Sequence, residues 1–469
     1  MINSLNFISS ELIVLALGLV VLMGGVLGAR RKFLGAAAIT AVVAAIVFLP
    51  ETMNIPGDIF SGMLTANFLG FSMRAFVLVG AGLAILMSIN FRWPDDEHAG
   101  EYYFLLLTAV VSMMLAVSAD NLLMIYLAVE TLSIISYVLT CSFRKDLYST
   151  EAGLKYFLFG ALSTGIMLYG ISLVYGLLGT LDLEGIGVRL AAGGVDLPLL
   201  VLAVLMVFAG LAFKASLVPF HMWVADVYEG APWPVAAFFS IGPKALGFVL
   251  LIKVFFSYAV LMSSGWAWLA ALLAIATMTL GNLAAFHQTS VKRLLAFSSI
   301  AQAGYILAAM ATGLMGLKAA FFYLVIYAFM NMGAFACAAF FGEASHSDIT
   351  AFKGLGRRAP LAALIFSIFL MSLAGLPPLA GFMAKFFVIM SAVAGAHYVL
   401  AGAIVANSVI AFFYYLKIIK TMYFEDCSSQ EPVSLHLSGL FLFIFCLLAV
   451  LYFGIFPSGL MNILTIIFP

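Results

Sequence analysis

The stretch FKASLVPFHMWVADVYEGAPWP, residues 213–234, decides how this chain is read. It closes an apolar run that begins near Pro198, and it places an ammonium at Lys214 and a helix breaker at Pro219 where a membrane helix should be uninterrupted. A helix needs about 20 apolar residues to cross the hydrocarbon core. Proline removes a backbone donor within it, and a charge at mid-bilayer costs roughly 2.5–3.5 kcal/mol on insertion scales. Two such groups at one depth need a reason.

The surroundings are unambiguous. Of 469 residues, 65% are hydrophobic and 9% charged. Soluble domains carry about 45–50% apolar and about 25% charged residues, so the composition is that of an all-α polytopic membrane protein. A soluble multidomain reading fails because so few polar residues could not cover the apolar surface. The formal net charge of zero offers nothing to nucleic acid. Cys141, Cys337, Cys427 and Cys446 are widely separated and form no CxxC or Cys/His ligand spacing. With no glycine-rich nucleotide motif and no haem signature, the expectation is no cofactor and no metal in this chain. The N-terminus lacks the charged region of a signal peptide, and the first apolar run, from about Leu12, reads as a retained span.

Fourteen spans are expected, at 11–29, 33–50, 73–91, 102–119, 121–142, 153–179, 198–220, 235–258, 263–286, 292–312, 316–342, 360–395, 397–423 and 437–467. The twelfth and last are long enough to be broken or strongly tilted. Lys and Arg favour cytoplasmic loops. Odd-numbered loops hold thirteen (Arg30, Arg31, Lys32, Arg92, Arg144, Lys145, Lys292, Arg293, Lys353, Arg357, Arg358, Lys417 and Lys420), against Arg74, Arg189 and Lys318 in even-numbered ones. That bias puts both termini on the non-cytoplasmic side, the periplasmic side of a bacterial inner membrane.

Two spans carry proline near mid-membrane: the seventh at Pro219, the twelfth at Pro377 and Pro378, about 158 residues later. SADNLLMIYL (118–127) and TLGNLAAF (279–286) share an Asn-Leu at helix ends at an offset of about 161. These matches predict two five-helix units, spans 4–8 and 9–13, with helices 7 and 12 broken. An odd number of helices per unit inverts the second copy. The expected organisation is an N-terminal three-helix segment (1–100), a first repeat (101–260), an inverted second repeat (261–425) and a C-terminal helix (426–469).

Five lysines fall inside spans: Lys155, Lys214, Lys244, Lys253 and Lys385, and Glu130 is the clearest acidic residue within one. Intramembrane charges face protein or water and mark ion pathways. Glu130, with no cation within a turn, needs a partner from another helix. Lys214 precedes the break by a turn, Lys244 follows Gly242-Pro243, and Lys385 lies on the far half of the second broken helix. Lys155 follows Glu151 by four residues, an order that favours a helical ion pair, so relay and interfacial anchor are both open. Lys253, on the face opposite Lys244, is expected to snorkel. Lys292 is either an anchor or the cytoplasmic end of a path. His221 suits a relay because histidine titrates near neutrality, and a structural hydrogen bond is the alternative.

A buried lysine's charged form is disfavoured by low dielectric and favoured by a nearby carboxylate. A carboxylate that approaches and retreats makes such a group bind and release a proton. Several lysines on different helices make a polar line that moves protons.

The segments AVETLSIISY, FKASLVPFHMWVADVYEGAP, PKALG, SVKRLLAFSSIAQAGY and SLAGLPPLAGFMAKF, spread over about residues 100–425, resemble the antiporter-like membrane subunits of respiratory complex I. This enzyme is the proton-translocating NADH–quinone oxidoreductase, and the family includes relatives in multisubunit sodium/proton antiporters. VYEGAP and SIAQAGY narrow the resemblance to one branch. Ala225 and Ala384 depart from it where Pro and Gly are usual. The resemblance implies fourteen helices with two inverted five-helix units. It gives Glu130 and Lys214 as the helix-5/helix-7 pair, Lys244 as the central lysine and Lys385 as the exit-side lysine. It also implies NADH, FMN, iron–sulfur clusters and quinone in the assembled complex, and partners among further antiporter-like and small membrane subunits. The competing reading is an antiporter component driven by a sodium gradient. A third is a scaffold whose lysines are buried pairs.

Overall fold

Helices that are apolar on every side must be buried by protein or by lipid, and nearly the whole chain is built of them. The computed structural model describes residues 2–54, 59–91, 93, 97–257, 265–341, 348–426 and 437–468. Arg92 and Cys427 lie outside these described residues. In chain order the helices are α1 (Ile2–Phe7), α2 (Ser9–Val26), α3 (Arg31–Phe48), α4 (Phe68–Ile89), α5 (Ala99–Ser118), α6 (Leu122–Thr140) and α7 (Leu147–Leu178). Next come α8 (Leu183–Ala192), α9 (Leu197–Ala215), α10 (Trp223–Gly230), α11 (Trp233–Ser257), α12 (Gly265–Phe286), α13 (Val291–Met310) and α14 (Leu314–Phe341). The last are α15 (Leu355–Arg358), α16 (Pro360–Ala374), α17 (Ala380–Ala394), α18 (Tyr398–Phe424), α19 (Leu437–Ile455) and α20 (Ser458–Ile467).

Thirteen helices among the described residues are long and apolar enough to cross a membrane. The expected twelfth span is realised as α16 and α17, each too short alone. The last expected span likewise divides, into α19 and α20, with Pro457 at the junction. The chain forms two compact units. The first comprises Met1–Ile85, Trp93–Ser216 and Gly242–Trp266; the second comprises Leu86–Arg92, Leu217–Ile241 and Ala267–Pro469. In the first unit α2 packs on α3 and α5, α5 on α6, α6 on α7, and α7 on α9. In the second, α13 packs on α10 and α14, and α14 on α16, α17 and α19. Leu127, Ile134 and Val138 of α6 and Leu154, Leu158 and Leu162 of α7 face outward, as a lipid-bathed surface requires.

Both proline-bearing spans break in the same manner. α9 ends at Ser216, which takes a left-handed φ of 62°, and the chain turns through Pro219 before α10. α16 ends at Gly375 with φ of 90° and turns through Pro377 and Pro378 before α17. The bonds preceding Pro219 and Pro378 are cis. A left-handed residue at a helix C-terminus stops the ladder and leaves the last carbonyls to other donors.

The Asn-Leu match reads differently in three dimensions. Asn121 is the N-cap of α6, its side chain accepting from the Leu123 amide, whereas Asn282 lies inside α12. The residue in Asn121's role is Ser290, the N-cap of α13. Asn121 forms a β-bridge with Asp182 in the first unit, and Ser290 one with Asp348 in the second. Short polar residues cap helices interchangeably, so residue identity misled where geometry repeats.

Arg74, counted above as a loop residue, belongs to α4 and is 1% exposed. Its guanidinium meets Glu11 of α2 at 2.5 Å, the Phe7 carbonyl at 3.0 Å and Thr52 Oγ1 at 3.0 Å. The pair locks α2 to α4 from inside. Removing one member of a buried pair leaves an uncompensated charge, at about 3–5 kcal/mol, while replacing both with apolar groups is often near neutral. Arg74→Met is therefore expected to lower stability by about that amount. Glu11→Leu/Arg74→Met is expected to recover most of it, as read by denaturant unfolding of the purified protein in detergent.

Candidate functional site

The first unit holds Glu130, Lys155, Lys214 and Lys244. Lys214 occupies the last turn of α9 and is 1% exposed. Placing a cation there suits the negative end of the helix dipole. Its Nζ makes no hydrogen bond with protein and stands 5.7 Å from the centre of the Tyr156 ring and 6.0 Å from that of Phe213. Glu130 of α6 interacts with this ammonium electrostatically, and its own Oε2 is buried without a hydrogen-bond partner. The two charges thus face one another without a hydrogen bond to lock them. Glu130 lies at the edge of the outward face of α6, next to exposed Leu127 and Ile134.

Lys244 is 1% exposed on α11, a helix buried along its whole apolar length. Pro243 sits inside that helix and removes one rung of its ladder immediately before Lys244. The same helix is brought close to α9 by Gly247: a Cβ there would lie 2.7 Å from the Ala215 amide nitrogen, next to Lys214. Small residues at such seams let membrane helices approach closely. Lys155, by contrast, is on a partly exposed face of α7 and forms a 2.8 Å ion pair with Glu151.

The second unit holds His221, Lys292 and Lys385. Lys385 of α17 is 4% exposed and reaches back across the break to donate to the Ala374 carbonyl at 2.9 Å. That carbonyl ends α16, so the lysine satisfies a group the break had orphaned. Its Nζ also lies 4.8 Å from the centre of the Tyr305 ring, a cation–π seat. The Tyr305 hydroxyl accepts from Asn282, which also bonds Asn407 at 3.1 Å and accepts from Tyr414 at 3.1 Å. Gln302 accepts from Tyr323 and donates to the Leu373 carbonyl at 3.3 Å.

Lys292 donates to the carbonyls of Glu229 at 2.9 Å and Ala231 at 2.6 Å, capping the C-terminus of α10. Beside it Arg293 pairs with Asp226 at 2.9 Å and Glu229 at 2.6 Å. His221 is half-buried between the break and α10, with its ring toward the Pro219 carbonyl. Among the described residues no group of three or more His, Cys, Asp or Glu can hold a metal ion.

The sequence reading missed the tyrosine seats, the Asn282–Asn407–Tyr414 cluster and the Glu11–Arg74 pair. Asn282 and Asn407 carried a usable signal, since buried amides inside apolar spans need partners. The tyrosines did not, being lost among 18 in the chain.

Residues 119–411 match the transmembrane family described as NADH:quinone oxidoreductase/Mrp antiporter. The chain belongs to this family. The branch indicated by VYEGAP and SIAQAGY is that of subunit N. NADH-quinone oxidoreductase subunit N of Rhodospirillum rubrum is 40% identical over 432 residues, covering 90% of this chain and 88% of the relative. The Moorella thermoacetica subunit N is 38% identical, covering 98% and 97%. Among solved structures, respiratory complex I from Thermus thermophilus contains a chain of the same fold, with a TM-score of 0.82 and 29% identity over 97% of this chain and 98% of that one. The Mrp complex from Dietzia shares the fold, with a TM-score of 0.84 at 20% identity, over 99% of this chain and 97% of that one.

The seat of Lys385 depends on the left-handed Gly375. A Cβ there would fall 2.8 Å from Lys385 Cδ, and a non-glycine residue in that conformation costs about 1 kcal/mol or more. Gly375→Ala is expected to unseat the ammonium from the Ala374 carbonyl and reduce proton pumping by the assembled complex in vesicles. A Gly375→Ala complex that pumps at the parental rate contradicts this.

Proposed function

We propose that this chain is the proton-translocating membrane subunit, of the subunit N type, of an NADH–quinone oxidoreductase. In this reading protons cross through its buried lysines while electrons pass from NADH to quinone in other subunits. Near full-length relatedness to subunit N supports the assignment to the complex. One observation carries the mechanism: a fully buried ammonium, Lys214, faces the Glu130 carboxylate with no hydrogen bond to lock the two.

Such a pair responds to small movements. Two unit charges 4 Å apart interact by about 4 kcal/mol at an effective dielectric near 20, and doubling the separation halves this. A change of about 2 kcal/mol alters proton occupancy roughly 30-fold. When Glu130 approaches, Lys214 holds its proton; when Glu130 withdraws or is itself neutralised, Lys214 releases it. Lys244 passes the proton within the first unit, and Lys385 takes that role in the second. Pro219 and Pro378, by ending helices inside the membrane, expose backbone carbonyls that water and lysine can share. His221 is assigned a relay position at the first break. Lys292 and Lys155 are assigned to the periphery of the path, Lys292 because it caps α10 and Lys155 because it pairs with Glu151.

FMN, iron–sulfur clusters and the quinone site are assigned to partner subunits, and the neighbours of this chain to further antiporter-like and small membrane subunits of the same complex. The loop charge bias supports a location in a bacterial inner membrane with both termini periplasmic.

In vesicles containing the assembled complex, Glu130→Gln and Lys214→Ala are each expected to reduce NADH-driven ΔpH while leaving the complex assembled. Fully coupled NADH oxidation in both variants would refute the assigned roles. ΔpH driven by a sodium gradient without NADH would instead favour an antiporter.

A further inference from the structure

Lys253 does not snorkel. Its side chain is 6% exposed and turned into the first unit, where Nζ donates to the carbonyls of Val117 at 3.1 Å and of Ala119, with Asp120 Oδ1 at 3.9 Å. Those carbonyls lie at the C-terminal end of α5, where the last groups of a helix lack internal partners and the dipole favours a cation. The turn they belong to is short. Asn121 caps α6 two residues beyond Ala119, and Glu130 follows eight residues after the start of that helix, about 12 Å along it at 1.5 Å per residue. On its own helix, Lys253 lies nine residues beyond Lys244.

We propose that Lys253 is a positioning residue that fixes the height of Glu130. One ammonium ties the helix carrying Lys244 to the turn from which the helix carrying Glu130 is hung. Around that turn the backbone is also held by hydrogen bonds. Thr65 donates to the Ser118 carbonyl and Asp120 to the Met63 carbonyl, each at 2.9 Å; Leu122 donates to the Leu181 carbonyl and Leu183 to that of Asp120, also at 2.9 Å. Asn121 Nδ2 adds a 2.7 Å bond to Asp182. These contacts hold the turn to the segment that precedes α4 and to the entry of α8. Lys253 holds it to α11. Without that tie the turn loses its hold on α11, the start of α6 shifts, and the coupling between Glu130 and Lys214 changes with it.

Arginine separates this role from proton carriage. It keeps the charge and the donors and does not deprotonate in proteins. In the assembled complex, Lys253→Arg is expected to retain NADH-driven proton pumping, and Lys253→Met to lose about tenfold or more, the scale of a misplacement near 1 Å. The infrared carboxyl band of Glu130, identified by its disappearance in Glu130→Gln, is expected to shift in Lys253→Met and to stay in place in Lys253→Arg. Should Lys253→Met fail to assemble, Lys253→Ala, which removes the donors and leaves room for water at the same carbonyls, takes its place. Loss of pumping in an assembled Lys253→Arg complex overturns the proposal in favour of a proton-carrying lysine, and an unmoved Glu130 band in the methionine or alanine variant overturns it outright. The proposal rests on the role assigned to Glu130: intact pumping in Glu130→Gln removes that role, whereas the infrared band tests the positioning by itself.

Discussion

An ammonium in hydrocarbon is unstable unless something nearby answers its charge, and the buried lysines are answered in different ways. Lys214 has a carboxylate at a distance and a tyrosine face. Lys385 has an orphaned carbonyl and a tyrosine face. Lys253 and Lys292 each have two backbone carbonyls at a helix C-terminus. The gradation matters more than the number. Two carbonyls in direct contact hold a cation tightly and suit an anchor. An aromatic face and a remote carboxylate hold it loosely, and a loosely held proton is one that can be passed on. The same side chain serves architecture or transport according to how completely its surroundings satisfy it.

The fold follows from the need to create those surroundings. A continuous helix presents no free backbone group inside the membrane, so it has nothing to offer a lysine except other side chains. Ending α9 and α16 at left-handed residues frees carbonyls at depth, and Lys385 takes one of them directly. Pro243 and Gly247 do related work on α11, one thinning the ladder beside Lys244, the other letting that helix lie close to the end of α9.

Much of this architecture was written in the sequence, because hydrocarbon imposes a strict rule on composition and length. Runs of about 20 apolar residues reveal spans, and proline inside a run reveals a break. The intramembrane charges were equally plain, since so few charged residues are available. What stayed hidden depends on contacts between distant segments. Arg74 falls at the blurred edge of an apolar run, where nothing local says that Glu11 is waiting 63 residues upstream. Lys253 has the spacing of a snorkelling residue, and only the position of α5 shows that its head turns inward. The Asn121–Asn282 likeness was one of letters. The true counterpart, Ser290, shares the capping chemistry but not the name.

The tyrosine under Lys385 has a consequence for timing. A ring face attracts an ammonium through its quadrupole and has no such hold on a neutral amine. The ring's share of the seat is therefore present while the lysine is charged and lost once the proton has gone, leaving the Ala374 carbonyl as the remaining partner. Under the role proposed for Lys385, the pairing with Tyr305 makes the hold on the side chain depend on whether its proton is present.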